Sequence, residues 1–138
     1  MIFQLTLISW TGVLLAFAAY FMLGAAWYMF LFPKAYRRSL GKENDTLQNT
    51  SPIFIVGPAV CTLVVTLTAA MLIYALNIDN YASAVEFAML IGFGFLVANT
   101  VNIAINPNIP KPILYGAITG GYHLVGITLA CVIITAIK

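Results

Sequence analysis

The chain has 138 residues, 62% hydrophobic and only 7% charged, with a net charge of +2 and a mean hydropathy of +1.00. No water-facing surface can be built from that composition, which excludes a soluble globular domain. The small net charge, with no basic residues spread along any helix-length stretch, excludes a nucleic-acid partner.

Four apolar runs, Leu5–Phe32, Pro52–Leu76, Ala84–Ile105 and Ile113–Ile137, occupy most of the sequence. A hydrocarbon core about 30 Å thick takes roughly 20 helical residues, and every run reaches that length. The expected fold is all-α, a polytopic transmembrane four-helix bundle forming a single domain over residues 1–138.

The first run has no basic segment ahead of it and is followed by its positive charge, so it reads as a span and not as a cleaved signal peptide. Trp10 near one end, with Trp27 and Tyr28 near the other, fits interfacial aromatic belts. Pro33 should end this helix. Lys34–Leu40 can then lie along the membrane surface, with Lys34, Arg37 and Arg38 toward lipid headgroups. Gly41–Thr50 is a polar loop, after which Ser51 and Pro52 read as the cap and first residue of the second span. Gly57-Pro58 should kink that span, as a packing device or to shape a small cytoplasm-facing cavity.

Cys61 and Cys131 stand alone in spans, without a CxxC pair or a histidine-rich neighbourhood, and read as small buried apolar side chains. No metal or cofactor is implied. Ser83-Ala84-Val85-Glu86 has capping-box spacing for the third span, which sets Glu86 as an interfacial cap against a proton-carrying role. Pro107, Pro110 and Pro112 make the last connector stiff.

Lys34, Arg37, Arg38 and Lys42 lie in the first connector and Lys111 in the third, whereas the opposite side has only Lys138. Short-loop bias of Lys and Arg places the basic connectors in the cytoplasm and both termini outside a cell inner (plasma) membrane crossed by several passes.

Small residues recur at helix-packing spacing in Thr62, Thr66 and Ala70, in Ala88 and Gly92, in Gly94 and Ala98, and in the GxxxG from Gly116 to Gly120. Such rows report close helix contact, within the chain or between copies.

Inside the spans, Asn99, Asn102 and Asn106 share one helix face, and His123 shares a face with Gly116 and Gly120. Thr119 and Tyr122 lie near His123 in sequence. Depth, reckoned at about 1.5 Å per residue, brings Asn99, Asn102, Thr119, Tyr122 and His123 within reach of one polar cluster in the inner half. Two readings compete. In one, these groups are interhelical hydrogen bonds of a structural or interaction protein, with the bilayer and either its own copies or another membrane protein as partner. In the other they line a small-solute, ion or proton pathway. No combination of nucleophile, base and orienting group can be named, so the expected activity is not enzymatic.

Gly24-Ala25-Ala26-Trp27-Tyr28, continued by Leu31-Phe32-Pro33-Lys34-Ala35-Tyr36, resembles the first-span motif of the bacterial membrane family catalogued as domain of unknown function 1761. Gly121-Tyr122-His123-Leu124-Val125-Gly126 resembles its last-span motif. The resemblance covers nearly the whole chain in span number and spacing. It departs at the third connector, where the family tends to charge and Asn106-Pro107-Asn108-Ile109-Pro110 is neutral. It implies four spans and an inner-membrane location, and brings no established activity or catalytic residues.

Overall fold

The computed structural model describes residues 2–45 and 51–138. Four helices among them are long and apolar enough to cross a membrane: Trp10–Leu31, Ile53–Ala75, Tyr81–Ala104 and Pro112–Ala136. The fourth is the helix that the other three share. In its most apolar window 44% of residues are buried, against 17%, 22% and 22% for the others. Large apolar side chains face outward all round, Phe30 at 78% exposure and Phe95 at 72%, a surface suited to lipid and not to water.

The first helix starts later than its apolar run. Ile2–Thr6 forms a short 3-10 helix, and Ser9 then takes an extended conformation whose hydroxyl accepts from Gly12 N–H at 3.2 Å. A cap of this kind ends continuity with the preceding turn, so the span begins at Trp10 and not at Leu5. Ser9 N–H also donates to the Tyr74 hydroxyl at 2.9 Å, tying this end to the second helix. The other end of the first helix widens into a π-helical turn over Trp27–Leu31. Pro33 then opens a separate short helix, Pro33–Ser39.

The second helix begins at Ile53, one residue beyond the expected start, with Pro52 flanking it and Pro58 inside it. It closes in a Schellman arrangement: Asn77 has φ 53°, its N–H bonds to Tyr74 O, and Ile78 N–H bonds to Ile73 O. The third helix is capped by Asn80, whose side chain accepts from Ser83 N–H at 2.9 Å. The capping box expected at Ser83 is therefore displaced by one turn. Ser83 sits inside the helix, and Glu86 is exposed beyond the first turn, out of reach of the cap. Gly92–Val97 is again π-helical, and the helix ends at Ala104. Asn106 builds the following turn, donating to Ile103 O at 2.6 Å and accepting from Asn108 N–H at 2.8 Å.

Small residues set the packing. A Cβ on Gly116 would meet Val101 at 3.1 Å, one on Gly120 would meet Val97 at 3.3 Å, and one on Gly92 would meet Leu124 at 2.7 Å. The GxxxG row is thus a seam between the third and fourth helices of one chain. Thr62, Thr66, Ala70 and Ala88 are also buried, whereas Gly94 faces open space and Ala98 is exposed. Of the two cysteines only Cys131 is buried; Cys61 is exposed.

The two ends of the molecule are tied differently. At one, Lys111 N–H donates to Ser39 O at 3.2 Å, and Glu43 lies between Arg38 (3.6 Å) and Lys111 (3.5 Å). At the other, Lys138 Nζ donates to Ile78 O at 3.1 Å and sits over the Tyr74 ring.

Candidate functional site

The first and fourth helices meet through an exchange of aromatic rings and glycines. The Tyr20 ring lies where Gly126 has no side chain, and a Cβ on Gly126 would overlap Tyr20 Cε2 and Cδ2. The Tyr122 ring lies over Gly24, whose Cβ would come 3.0 Å from its hydroxyl. At Gly126 the ring fills space that any side chain would need, and at Gly24 a side chain would crowd the Tyr122 ring. Trp27 Nε1 donates to Ile118 O at 3.0 Å, fixing the depth of one helix against the other. Trp27, expected in an interfacial belt, is thereby half-buried as a packing residue, while Trp10 is exposed.

Beside this contact lies a crevice of about 660 Å³. Tyr20 and Tyr28 of the first helix, Tyr36 of the short helix, and Tyr122 and His123 of the fourth form its aromatic wall. The rings pack in tilted contacts, Tyr20–Tyr122 and Tyr28–Tyr122 at 5.4 Å and Tyr28–Tyr36 at 4.9 Å between centroids. The second helix supplies the opposite wall from Phe54 to Val65, including Gly57 and Pro58. Phe54, Pro58 and Cys61 are exposed and form its rim, so the crevice opens beside the second helix. The proline of the Gly57-Pro58 pair thus stands at a cavity.

His123 is held by Tyr20. The Tyr20 hydroxyl lies 2.9 Å from Nδ1 and 3.3 Å from the carbonyl oxygen of the same histidine. If the phenol donates to Nδ1, the ring keeps its proton on Nε2; if it donates to the carbonyl, Nδ1–H donates to it. In either case Nε2 has no hydrogen-bond partner among the described residues. Tyr122 has the Thr62 hydroxyl as a neighbour, and Tyr28 has that of Thr119. At the mouth of the wall, burial and then the adjacent Tyr115 push the Tyr36 phenol up to about 12, keeping it neutral and able to donate.

Of the five residues expected to cluster, three come together here: Tyr122 and His123 line the crevice, and Thr119 stands behind Tyr28. Asn99 and Asn102 do not join them. Both are exposed, because the third helix packs on the fourth through Val97 and Val101 and turns its asparagines away. His123 is partnered instead by Tyr20 of the first helix. Tyr20 and Tyr36 carry no expectation from the sequence, and Tyr28 reads there only as an interfacial aromatic, although Tyr28 and Tyr36 stand in the first quoted motif. The pairing of each motif's glycine with the other helix's tyrosine is a signal for Tyr20, and it does not extend to Tyr28 or Tyr36.

Lys34, Arg37 and Arg38 are exposed on the short helix and, with Glu43, surround a recess of about 380 Å³. It is a charged surface feature separate from the crevice wall.

The family described as protein of unknown function (DUF1761) matches residues 11–135, a stretch that includes both motifs and every residue lining the crevice. No curated protein and no solved structure matches the chain.

Proposed function

The chain belongs to the DUF1761 family of proteins of unknown function, and from that premise we propose that it is a non-enzymatic integral membrane protein that binds a small membrane-soluble ligand. The observation that carries this reading is the crevice itself. At about 660 Å³ it falls in the size range of small-molecule sites, with mostly apolar and aromatic walls and a few converging polar groups. The site of the earlier pathway reading moves accordingly, from an Asn–His cluster to a Tyr–His crevice. The test is native mass spectrometry of protein extracted in mild detergent. Wild type should retain a small molecule, and Cys61→Trp, which fills the exposed rim, should lose it without loss of fold. Equal retention by the variant, or none by wild type, overturns the reading.

A second reading, a structural or interaction protein, is supported by the amides of Asn99 and Asn102, which are exposed on the third helix. An asparagine can both donate and accept, so two copies of this face are complementary. An oligomer in native mass spectra that becomes monomeric in Asn99→Leu/Asn102→Leu would support it, and an unchanged subunit count would remove it.

We infer further that the end bearing Lys34, Arg37, Arg38 and Lys111 faces the cytoplasm of a cell whose inner membrane holds the protein, with both termini outside. The exposed Lys34, Arg37 and Arg38 then contact anionic headgroups, each contributing about 1 kcal/mol near the surface. Arg37→Gln/Arg38→Gln should leave the protein folded and weaken its preference for anionic over zwitterionic vesicles. Unchanged preference would refute the headgroup role.

A further inference from the structure

We propose that the ligand of the crevice is a quinone-type molecule: a flat, uncharged ring bearing carbonyl oxygens, carried in the membrane by an apolar tail. This deepens the binding reading above and rests on it. Three features select the class. Among the described residues no Asp, Glu, Lys or Arg lines the crevice, so none of them balances a charged ligand there, and burying an unpaired charge is costly. One wall is built of rings, whose faces and edges suit a flat π-system, and the polar side chains lining the crevice are phenols, one imidazole and the Thr62 hydroxyl, with the Cys61 thiol at the rim. Phenol hydroxyls donate readily to carbonyl oxygen, and Tyr28 and Tyr122 stand with ring centroids 5.4 Å apart on one wall.

His123 adds the second contact. Tyr20 occupies Nδ1, so the imidazole is oriented, and Nε2 has no partner among the described residues in a side chain that lines the cavity. With Tyr20 donating at 2.9 Å to Nδ1, Nε2 carries the proton and is a donor to a carbonyl. The exposed rim at Phe54, Pro58 and Cys61 gives a tail a way out along the second helix. A ring held by donors at its oxygens, with its chain leaving through that rim, fits all three features at once.

Trp27 provides the readout, because its ring lies 6.5 Å from that of Tyr122 while outside the lining. In a Trp10→Phe background, purified protein in detergent is titrated with menadione, a naphthoquinone, and Trp27 fluorescence quenching is followed. Quenching should saturate. Bound tritiated menadione should be displaced by unlabelled 2,3-dimethoxy-5-methyl-1,4-benzoquinone, and not by 2-methylnaphthalene, the same ring without oxygens, or by phenyltrimethylammonium. Tyr28→Phe/Tyr122→Phe keeps the rings and removes two donors, and should weaken apparent affinity roughly tenfold or more. Competition by 2-methylnaphthalene with no loss in the Phe variant would overturn the carbonyl class and leave an aromatic-ligand crevice. Competition by the ammonium would replace the quinone with an organic cation. Quenching that stays linear in wild type, with no ligand retained in mass spectra, would remove the binding reading itself.

Discussion

Tyr20 is fully buried, and its position depends on Gly126 having no Cβ. Gly126→Ala must push the ring off the helix or part the two helices, and overpacking of this kind costs about 1–3 kcal/mol. Gly94→Ala meets nothing within 4 Å and should be neutral or slightly stabilising. Detergent-solubilised thermal unfolding compares the two, and equal melting temperatures would refute the ring-on-glycine packing. His123→Leu should cost about 1 kcal/mol or less, because the Tyr20 hydroxyl keeps the carbonyl oxygen at position 123 as an acceptor. The same substitution should lower affinity for menadione severalfold. A large stability loss with unchanged affinity would make the histidine purely structural. The sequence places His123 and the asparagines within reach of one cluster because all are polar and similarly deep; depth along a helix axis says nothing about azimuth.

Between elements, the third and fourth helices meet where glycines accept valines. Gly120→Leu would drive a side chain into Val97, 3.3 Å from a bare Cβ, and should destabilise the protein by more than 2 kcal/mol. Loss of monodisperse protein on size exclusion checks it, with Gly94→Leu as the tolerated control. Helix ends offer a second test. Asn80→Ala removes the side chain that accepts from Ser83 N–H and should cost about 1 kcal/mol, whereas Ser83→Ala should be close to neutral. The reverse order would restore the capping box read from the sequence. That box was misplaced because Asn80 and Ser83 are both good caps, and the choice between them depends on where Asp79 and the turn at Asn77 direct the chain.

For the whole molecule, the pairing of ends is built from few groups. Glu43 lies between Arg38 and Lys111 with all three side chains well exposed, so Glu43→Gln should change stability by less than about 1 kcal/mol, and less still in high salt. Orientation is tested with single cysteines on a background lacking Cys61 and Cys131. An impermeant thiol reagent applied to intact cells should label Asp79→Cys and leave Asn44→Cys unlabelled. Asp79 is chosen because replacing Asn80 would remove a helix cap. The opposite pattern would invert the orientation drawn from the basic connectors.

Four membrane-length helices follow from the sequence alone, because an apolar run of some 20 residues leaves its backbone no stable alternative to a helix in hydrocarbon. Their boundaries shifted by more than one residue only where a local cap intervened, at Ser9 and Asn80. The small-residue rows were legible as places of close approach, and Gly116 and Gly120 do accept a neighbour. Which neighbour, and which face turns inward, was decided by the tertiary structure. In a soluble protein the apolar stripe marks the inside; here both lipid and core are apolar, so hydrophobicity carries no direction. Asn99 and Asn102 face outward while Tyr20, Tyr122 and His123 turn inward, because Val97 and Val101 fit the glycines of the fourth helix and Tyr20 fits Gly126. Shape, summed over ring and glycine, chose the faces that hydropathy left equivalent.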